Sequence, residues 1–288
     1  ANFKGGVAKT TTTATLAQGL SLRGHKVLVI DTDPQGSLTE LFGIKPSSVD
    51  VSETVLPLYQ GEEETLDYAV RPTYWDGIDI VKSFPMVFDA EFSLPGQQMQ
   101  NPKFEFWSVL DGGLDNLRNQ YDVIVIDTPP SLSYSAINAL MAANVLVVPI
   151  PPSLLDFASS AQFWRLYLDF AEPIRKARGV EKSYDFINVL MTRVDNQESM
   201  SAEVRRWIMN GYGDGVLPIE IPKTSIASTA SSQFGTVYDV SESLSGSKTW
   251  KRAYDAYERF VELMEEQIVS TWAHKAEAAK ALAKGSKK

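Results

Sequence analysis

Six short runs of apolar, mostly β-branched residues recur along the chain, and their spacing most constrains what it can fold into. They are Val27–Ile30, Ile78–Val81, Val123–Ile126, Val145–Ile150, Phe186–Met191 and Val216–Ile219. Each run is nearly continuous in apolar character rather than alternating, which predicts strands covered on both faces. Stretches long enough for a helix lie between many of them. One opens at Lys9 and closes at Gly24, with Leu16, Ala17 and Leu20 on one face and Gly24 at the position of a C-cap. A second spans about Phe106 to Tyr121, carrying Leu110, Leu114 and Leu117. Strands alternating with helices join by right-handed crossovers. The expected fold class is α/β: a mostly parallel twisted sheet flanked by helices on both faces.

Other segments read differently. Pro85, Pro95, Gly96 and Pro102 punctuate the stretch between Phe84 and Lys103 and predict a long irregular connection. Ser225–Ser247 is rich in Ser, Thr and Gly and is expected to run over the surface near a ligand. A helix is expected from about Lys248 to Trp272, with Tyr257, Phe260, Val261, Met264 and Ile268 facing the core. The division expected is one domain over 1–272 and a Lys/Ala-rich tail over 273–288. Ala1-Asn2-Phe3 reads as the end of a first strand whose beginning is missing.

Composition removes whole classes of chemistry. The 288 residues include no Cys, which excludes thiolate zinc sites, iron–sulfur clusters and Cys nucleophiles. With only His25 and His274, a histidine metal centre or a Ser-His-Asp triad is disfavoured. No run of 18 apolar residues exists, and Lys4 and Lys9 interrupt the start, so neither a membrane span nor a signal peptide is expected. The formal charge of −9 lies entirely in residues 1–150, which hold 9 Lys and Arg against 18 Asp and Glu; the remainder is balanced.

The chemistry concentrates at Lys4-Gly5-Gly6-Val7-Ala8-Lys9-Thr10-Thr11, between the first expected strand and the first helix. A Gly-rich turn there can direct backbone N–H groups and a helix N-terminus at phosphates. Lys9 would reach the β- and γ-phosphates, and the Thr10 hydroxyl would ligate Mg²⁺. The ordinary pattern G-x-x-x-x-G-K-[ST] fails, because Phe3 and Ala8 occupy its glycine positions. An extra lysine, Lys4, precedes Gly5-Gly6 instead. Two further segments, Asp31-Thr32-Asp33-Pro34-Gln35-Gly36 and Asp127-Thr128-Pro129-Pro130, follow strands. Carboxylates at the carboxyl ends of parallel strands face the crevice where open α/β sheets bind ligands.

On Asn2–Thr12, Val27–Leu41, Tyr121–Ser131 and Val147–Ser160, the sequence resembles the ParA/MinD family of deviant Walker A ATPases, most closely its plasmid-partition ParA/RepA branch. Ala8 departs from the glycine usual in that family. The resemblance implies a P-loop NTPase fold, ATP and Mg²⁺ as cofactors, and a nucleotide site over Lys4, Gly5, Gly6, Val7, Ala8, Lys9, Thr10 and Thr11. It implies that Lys9 grips the phosphates in cis while Lys4 crosses a homodimer interface to the partner's phosphates. Thr10 would bind Mg²⁺, Thr11 the α-phosphate, and Asp127 would hold the metal through water. Asp33 would position the attacking water beside the metal, with Asp31 nearby. Adenine contacts are expected at Thr192 and Arg193 and at Pro222.

The same resemblance implies ATP hydrolysis that segregates plasmids or chromosomes, binding of non-specific DNA by the ATP-bound dimer, and a ParB-type centromere-binding partner. The expected location is cytoplasmic and nucleoid-associated. Candidate DNA contacts are Arg175, Lys176 and Arg178, then Arg205 and Arg206, then Lys248, Lys251 and Arg252, with the tail lysines. A MinD-like ATPase on a membrane, or one that positions a protein assembly, is the alternative. Only Leu282 is bulky and aliphatic beyond Trp272, which argues against a membrane.

Overall fold

The computed structural model describes residues 1–2, 4–179, 182–195, 198, 200–224, 235–239 and 247–285. Helix α1 (Lys9–Leu22) leads into β1 (Val27–Asp31), which pairs in parallel with β3 (Ile78–Val81) on one side and β4 (Val123–Asp127) on the other. A two-residue strand, β2 (Arg71–Pro72), adds antiparallel to β3, giving the order β2-β3-β1-β4. Between β1 and β3 lie the short helices α2 (Ser37–Leu41) and α3 (Leu56–Gln60). Between β3 and β4 lie α4 (Ala90–Gln100) and α5 (Val109–Gly113).

A second parallel group follows, ordered β5-β6-β7, from β5 (Val145–Ile150), β6 (Phe186–Val194) and β7 (Val216–Pro222). Helix α6 (Tyr134–Ala142) precedes β5, α7 (Leu154–Arg178) links β5 to β6, and α8 (Ser201–Tyr212) links β6 to β7. The last described helix is α9 (Lys248–Gly285). Strands β4 and β5 face each other across a cavity of about 410 Å³ lined by Ile124, Ile126, Leu146, Val147, Met264 and Ile268. Ala1 and Asn2 lie at β5: the amino group donates to Val147 O at 2.5 Å and Asn2 Nδ2 to Pro149 O at 2.8 Å. Neither residue is in a strand, and Phe3 lies outside the described residues.

The continuous apolar character of β1 has the expected structural meaning. Val27 and Val29 pack toward α1 and α9, with Leu16, Leu20, Tyr257 and Phe260, whereas Leu28 and Ile30 pack with Leu56, Tyr59, Leu94 and Leu110. Helices thus cover both faces of a mostly parallel sheet, as the pattern predicts.

Several local expectations are corrected. The segment rich in Pro and Gly is not irregular, since α4 runs through Pro95 and Gly96. Ala90 and Leu94 are buried, and Glu91 accepts from the Tyr134 and Ser135 N–H groups at the start of α6. Tertiary packing there outweighs weak propensity. Conversely, the stretch from Phe106 to Tyr121 forms only a 3₁₀ turn and α5, which ends at the poor helix formers Gly112 and Gly113; Leu110, Leu114 and Leu117 still enter the core. Helix α9 continues past Trp272 to Gly285, through alanine- and lysine-rich sequence of high helix propensity. Most of Ser225–Ser247 lies outside the described residues. The part that is described is tied to α1, where Gln18 Nε2 donates to Asp239 Oδ2 at 2.9 Å.

Candidate phosphate-binding site

The loop 4–8 joins the edge of β5 to the start of α1, and both of its ends are fixed by side chains. Asn2 Oδ1 accepts the Lys4 N–H at 3.1 Å. Lys9 turns back from the first turn of α1 and donates to the Lys4 carbonyl at 2.9 Å. Burial pulls the Lys9 ammonium below its ordinary pKa, and the nearby carboxylates of Asp127 and Asp33 oppose that shift. Ala8 takes the N-cap position of α1 in the left-handed region, at φ 69°, and supplies no side-chain cap. The first N–H groups of the helix are therefore open to an external acceptor.

Two strand ends, opposite each other in register, carry carboxylates, and one of them reaches this helix. Asp127, ending β4, is buried, and its Oδ2 accepts from Thr10 Oγ1 at 2.7 Å while Oδ1 accepts from Thr13 Oγ1 at 3.3 Å. Burial raises its pKa, and Thr10 and Lys9 pull it down. Asp31, ending β1, is fully buried and is pushed up to about 8 by desolvation and by Asp127. Its oxygens accept from the Thr39 N–H at 2.9 Å, the Thr39 hydroxyl at 2.8 Å and the Asp33 N–H at 3.1 Å. Asp31 thus shapes the loop that carries Asp33, and its burial beside Asp127 favours the protonated carboxyl. Asp33 Oδ1 accepts the Gln35 N–H at 2.9 Å, and Ser83 Oγ fixes its carbonyl at 2.7 Å. Thr32 donates both N–H, at 3.2 Å, and hydroxyl, at 2.6 Å, to the Asp127 carbonyl.

Lys4 does not point to the mouth of its own loop. Its ammonium pairs with Asp156 Oδ1 at 2.7 Å, at the start of α7, where the capping Ser153 hydroxyl also bonds Asp156. Asp156 and Ser153 had been given no role from sequence. The signal was present as Ser153-x-x-Asp156 opening a helix, an N-terminal capping pattern. Thr32, Thr39 and Ser83 went unnoticed because their partners are distant in sequence.

The residues expected at the base lie at the ends of β6 and β7. Strand β6 runs to Val194, so Thr192 and Arg193 belong to its end rather than to a following turn, and both contact the phosphate loop: Thr192 Oγ1 donates to Val7 O at 3.0 Å and Arg193 Nη1 to Gly6 O. Pro222 is one strand away, paired with Val194. Thr11 lies in the first turn of α1, and its carbonyl accepts from Thr15 Oγ1 at 2.7 Å.

Among the described residues, no group of three or more His, Cys, Asp or Glu could hold a metal by itself. Thr10 and Asp127 do supply two touching hard oxygen donors, the partial set that suits a cation completed by water and phosphate oxygens. The basic residues are largely neutralised locally: Arg175 and Lys176 by Glu172, Arg205 by Glu220, Lys251 by Asp255 and Lys275 by Asp185. Arg206, Lys248 and Arg252 are exposed, while the Arg178 side chain and residues 286–288 lie outside the description. No described helix is long and apolar enough to cross a membrane.

Comparison with known proteins gives a consistent picture. Residues 1–177 match the family described as AAA domain. Protein SopA of Escherichia coli (strain K12) is 31% identical over 263 residues, covering 90% of this chain and 67% of SopA. Chromosome partitioning protein ParA of Caulobacter vibrioides is 30% identical over 233 residues, covering 81% of this chain and 82% of that protein. Cobyrinic acid a,c-diamide synthase from Mycobacterium smegmatis, solved with a bound ATP analog and magnesium, superposes with a TM-score of 0.68 at 28% identity, covering 91% of each chain.

Proposed function

The chain belongs to the ParA/MinD family of P-loop ATPases, and from that premise we propose that it hydrolyses ATP with Mg²⁺ as a homodimer to partition plasmids or chromosomes. The observation that carries the chemistry is the contact of Thr10 with Asp127 at the base of a loop that ends in Lys9. Thr10 and Asp127 would hold Mg²⁺, which when bound neutralises charge on the phosphate oxygens.

The protein's own groups supply the rest. Lys9 exchanges the Lys4 carbonyl for phosphate oxygens, a charge-assisted contact stronger than the one it replaces. Backbone N–H groups at the start of α1 stabilise negative charge without reorganising. Asp33, fixed through its carbonyl and neighbouring N–H groups, orients the attacking water; phosphoryl transfer needs position more than basicity. Lys4 is already displaced from its own loop, toward α7, which supports a role on a second protomer's phosphates rather than in cis. The partner relationships follow the named relatives, SopA and ParA: a ParB-type centromere-binding protein and non-specific DNA. Candidate DNA contacts are the exposed Lys248 and Arg252 at the start of α9, where positive side chains add to a helix N-terminus, and the exposed Arg206 on α8.

The test is steady-state ATP turnover of wild type, Lys4→Ala and Asp33→Ala, with and without DNA and the protein encoded beside this one. Stimulation of wild type by both additions and its loss in both variants is expected. Turnover indifferent to DNA and partner would overturn the partition reading, and turnover indifferent to both substitutions would overturn the site.

A further inference from the structure

We propose that Thr192 and Arg193 are positioning residues that clamp the phosphate loop from outside, acting on its backbone and not on the base. This rests on the nucleotide-binding reading above and assigns within it how the loop is held in shape. The contacts are sequential on both sides: Arg193 Nη1 donates to the Gly6 carbonyl and Thr192 Oγ1 donates to the next carbonyl, that of Val7, at 3.0 Å. Thr192 and Val7 are both buried, so this second bond lies in the protein interior.

Two adjacent strand residues ordinarily point to opposite faces. Here both reach one loop, and the backbone shows how. Arg193 has φ 51°, a left-handed value for a residue with a side chain, and the register of β6 against β7 shifts between Met191 and Val194. A conformation that costs a non-glycine residue free energy persists only where its surroundings enforce it. What it achieves here is to bring the Arg193 guanidinium round to the side on which Thr192 already lies. Gly6 leaves room for it: an added Cβ would lie 3.4 Å from Nη1.

The effect on the loop follows from the planarity of the peptide unit. In a trans peptide a carbonyl and the following N–H point in opposite directions. Fixing the Gly6 carbonyl therefore aims the Val7 N–H away from β6, and fixing the Val7 carbonyl does the same for the Ala8 N–H. Gly6 and Ala8 are both left-handed, at φ 73° and 69°, the kind of backbone that gathers successive N–H groups into an anion-binding concavity. Clamped carbonyls keep that concavity formed before any phosphate arrives. Both contacts are made to backbone carbonyls of the loop.

The two roles separate cleanly by ligand. The measurement is calorimetric affinity of wild type, Thr192→Val, Thr192→Ser and Arg193→Ala for ATP, GTP and inorganic tripolyphosphate, each with Mg²⁺. Thr192→Val preserves shape and removes only the donor. Loss of one such bond is expected to weaken ATP and tripolyphosphate alike, by about tenfold. The preference for ATP over GTP should stay unchanged, and Thr192→Ser should restore the affinity lost. Melting temperatures without ligand, equal to wild type for Thr192→Ser, exclude a general folding defect. Unchanged tripolyphosphate affinity with a lost preference for ATP would overturn the clamp in favour of base contacts. Unchanged affinities throughout would also overturn it. Failure of the wild type to bind either ATP or tripolyphosphate would overturn the nucleotide reading itself, and the clamp with it.

Discussion

The Lys4 ammonium sits 2.7 Å from Asp156 Oδ1, while the Lys4 carbonyl receives Lys9 Nζ at 2.9 Å. One residue therefore occupies two lysines at once, its own side chain held at α7 and its carbonyl holding the lysine of the loop. Each ammonium keeps further N–H donors beside its present contact, so a phosphate would compete for them with Asp156 and with the Lys4 carbonyl.

Removing the Lys4 side chain separates binding from turnover. Lys4→Ala is expected to bind ATP within about threefold of wild type but to hydrolyse it on the order of 10³-fold more slowly, by analogy with the loss of an arginine finger. Asp156→Asn releases Lys4 instead. A partly exposed pair is worth about 1 kcal/mol at most, so basal turnover should rise by no more than about fivefold. Single-turnover hydrolysis with separately measured ATP affinity checks both. Equal turnover in wild type and Lys4→Ala would remove Lys4 from the chemistry.

Ala8 holds a conformation that costs an L-residue about 1–2 kcal/mol, at φ 69°. Ala8→Gly relieves it and adds back about 0.5–1 kcal/mol of chain entropy in the unfolded state. The expected net gain is about 0.5 kcal/mol, whereas Ala8→Val, branched at Cβ, should lose about 2 kcal/mol or more. Urea unfolding of the three proteins measures this. A loss in Ala8→Gly would show that the strain is not present in solution.

Asp31 makes stability depend on pH in a defined direction. Its carboxyl titrates near 4 when unfolded, by the ordinary carboxylate value, and at about 8 when folded. Its contribution is whole below about pH 4, declines as the pH rises, and is gone above about 8. Asp31→Asn removes that part of the slope; Asp127, whose pKa is raised in the same sense, keeps its own. Melting temperatures from pH 5 to 8.5 should fall more steeply for wild type than for the variant. Parallel curves would contradict the buried-proton assignment.

Gly19 is where α1 meets α9 at closest approach. A Cβ there would stand 2.6 Å and 2.8 Å from the Val261 methyls and 2.9 Å from the Tyr238 hydroxyl. Gly19→Ala should cost about 1–3 kcal/mol through overpacking, or a fall of about 2–4 °C in Tm per kcal/mol for a chain of this size. Adding Val261→Ala should recover part of the loss, a coupling that a double-mutant cycle resolves. Additive losses would place the strain elsewhere.

What the sequence made legible follows physical scale. The buried strands were readable because a strand covered on both faces is apolar along most of its length, as β1 is from Val27 to Ile30. That Lys9, Thr10 and Asp127 come together was readable, because residue type and spacing are constrained jointly in a loop of this pattern. The pairing of Lys4 with Asp156 was not, since it joins residues far apart in sequence through folding alone. The run ending at Met191 continues as strand to Val194, because nothing in the neighbours of Arg193 announces a left-handed residue inside a strand. Helix α4 was missed for the opposite reason: Pro95 and Gly96 announce a break that Ala90, Glu91 and Leu94 override by packing.

Thr32 spends both of its hydrogen-bond donors on the Asp127 carbonyl, and Asp31 and Asp127 face each other in the β1–β4 register. The loop bearing Asp33 is pinned as well, by Ser83 and by Asp31. The ends of β1 and β4 and the loop bearing Asp33 are therefore tied to one another by bonds within the sheet and its loops, whereas the Lys4 ammonium reaches α7 through an ion pair at a partly exposed position. On the nucleotide reading proposed above, adjustment to an arriving phosphate would fall first on the Lys4 side of the site.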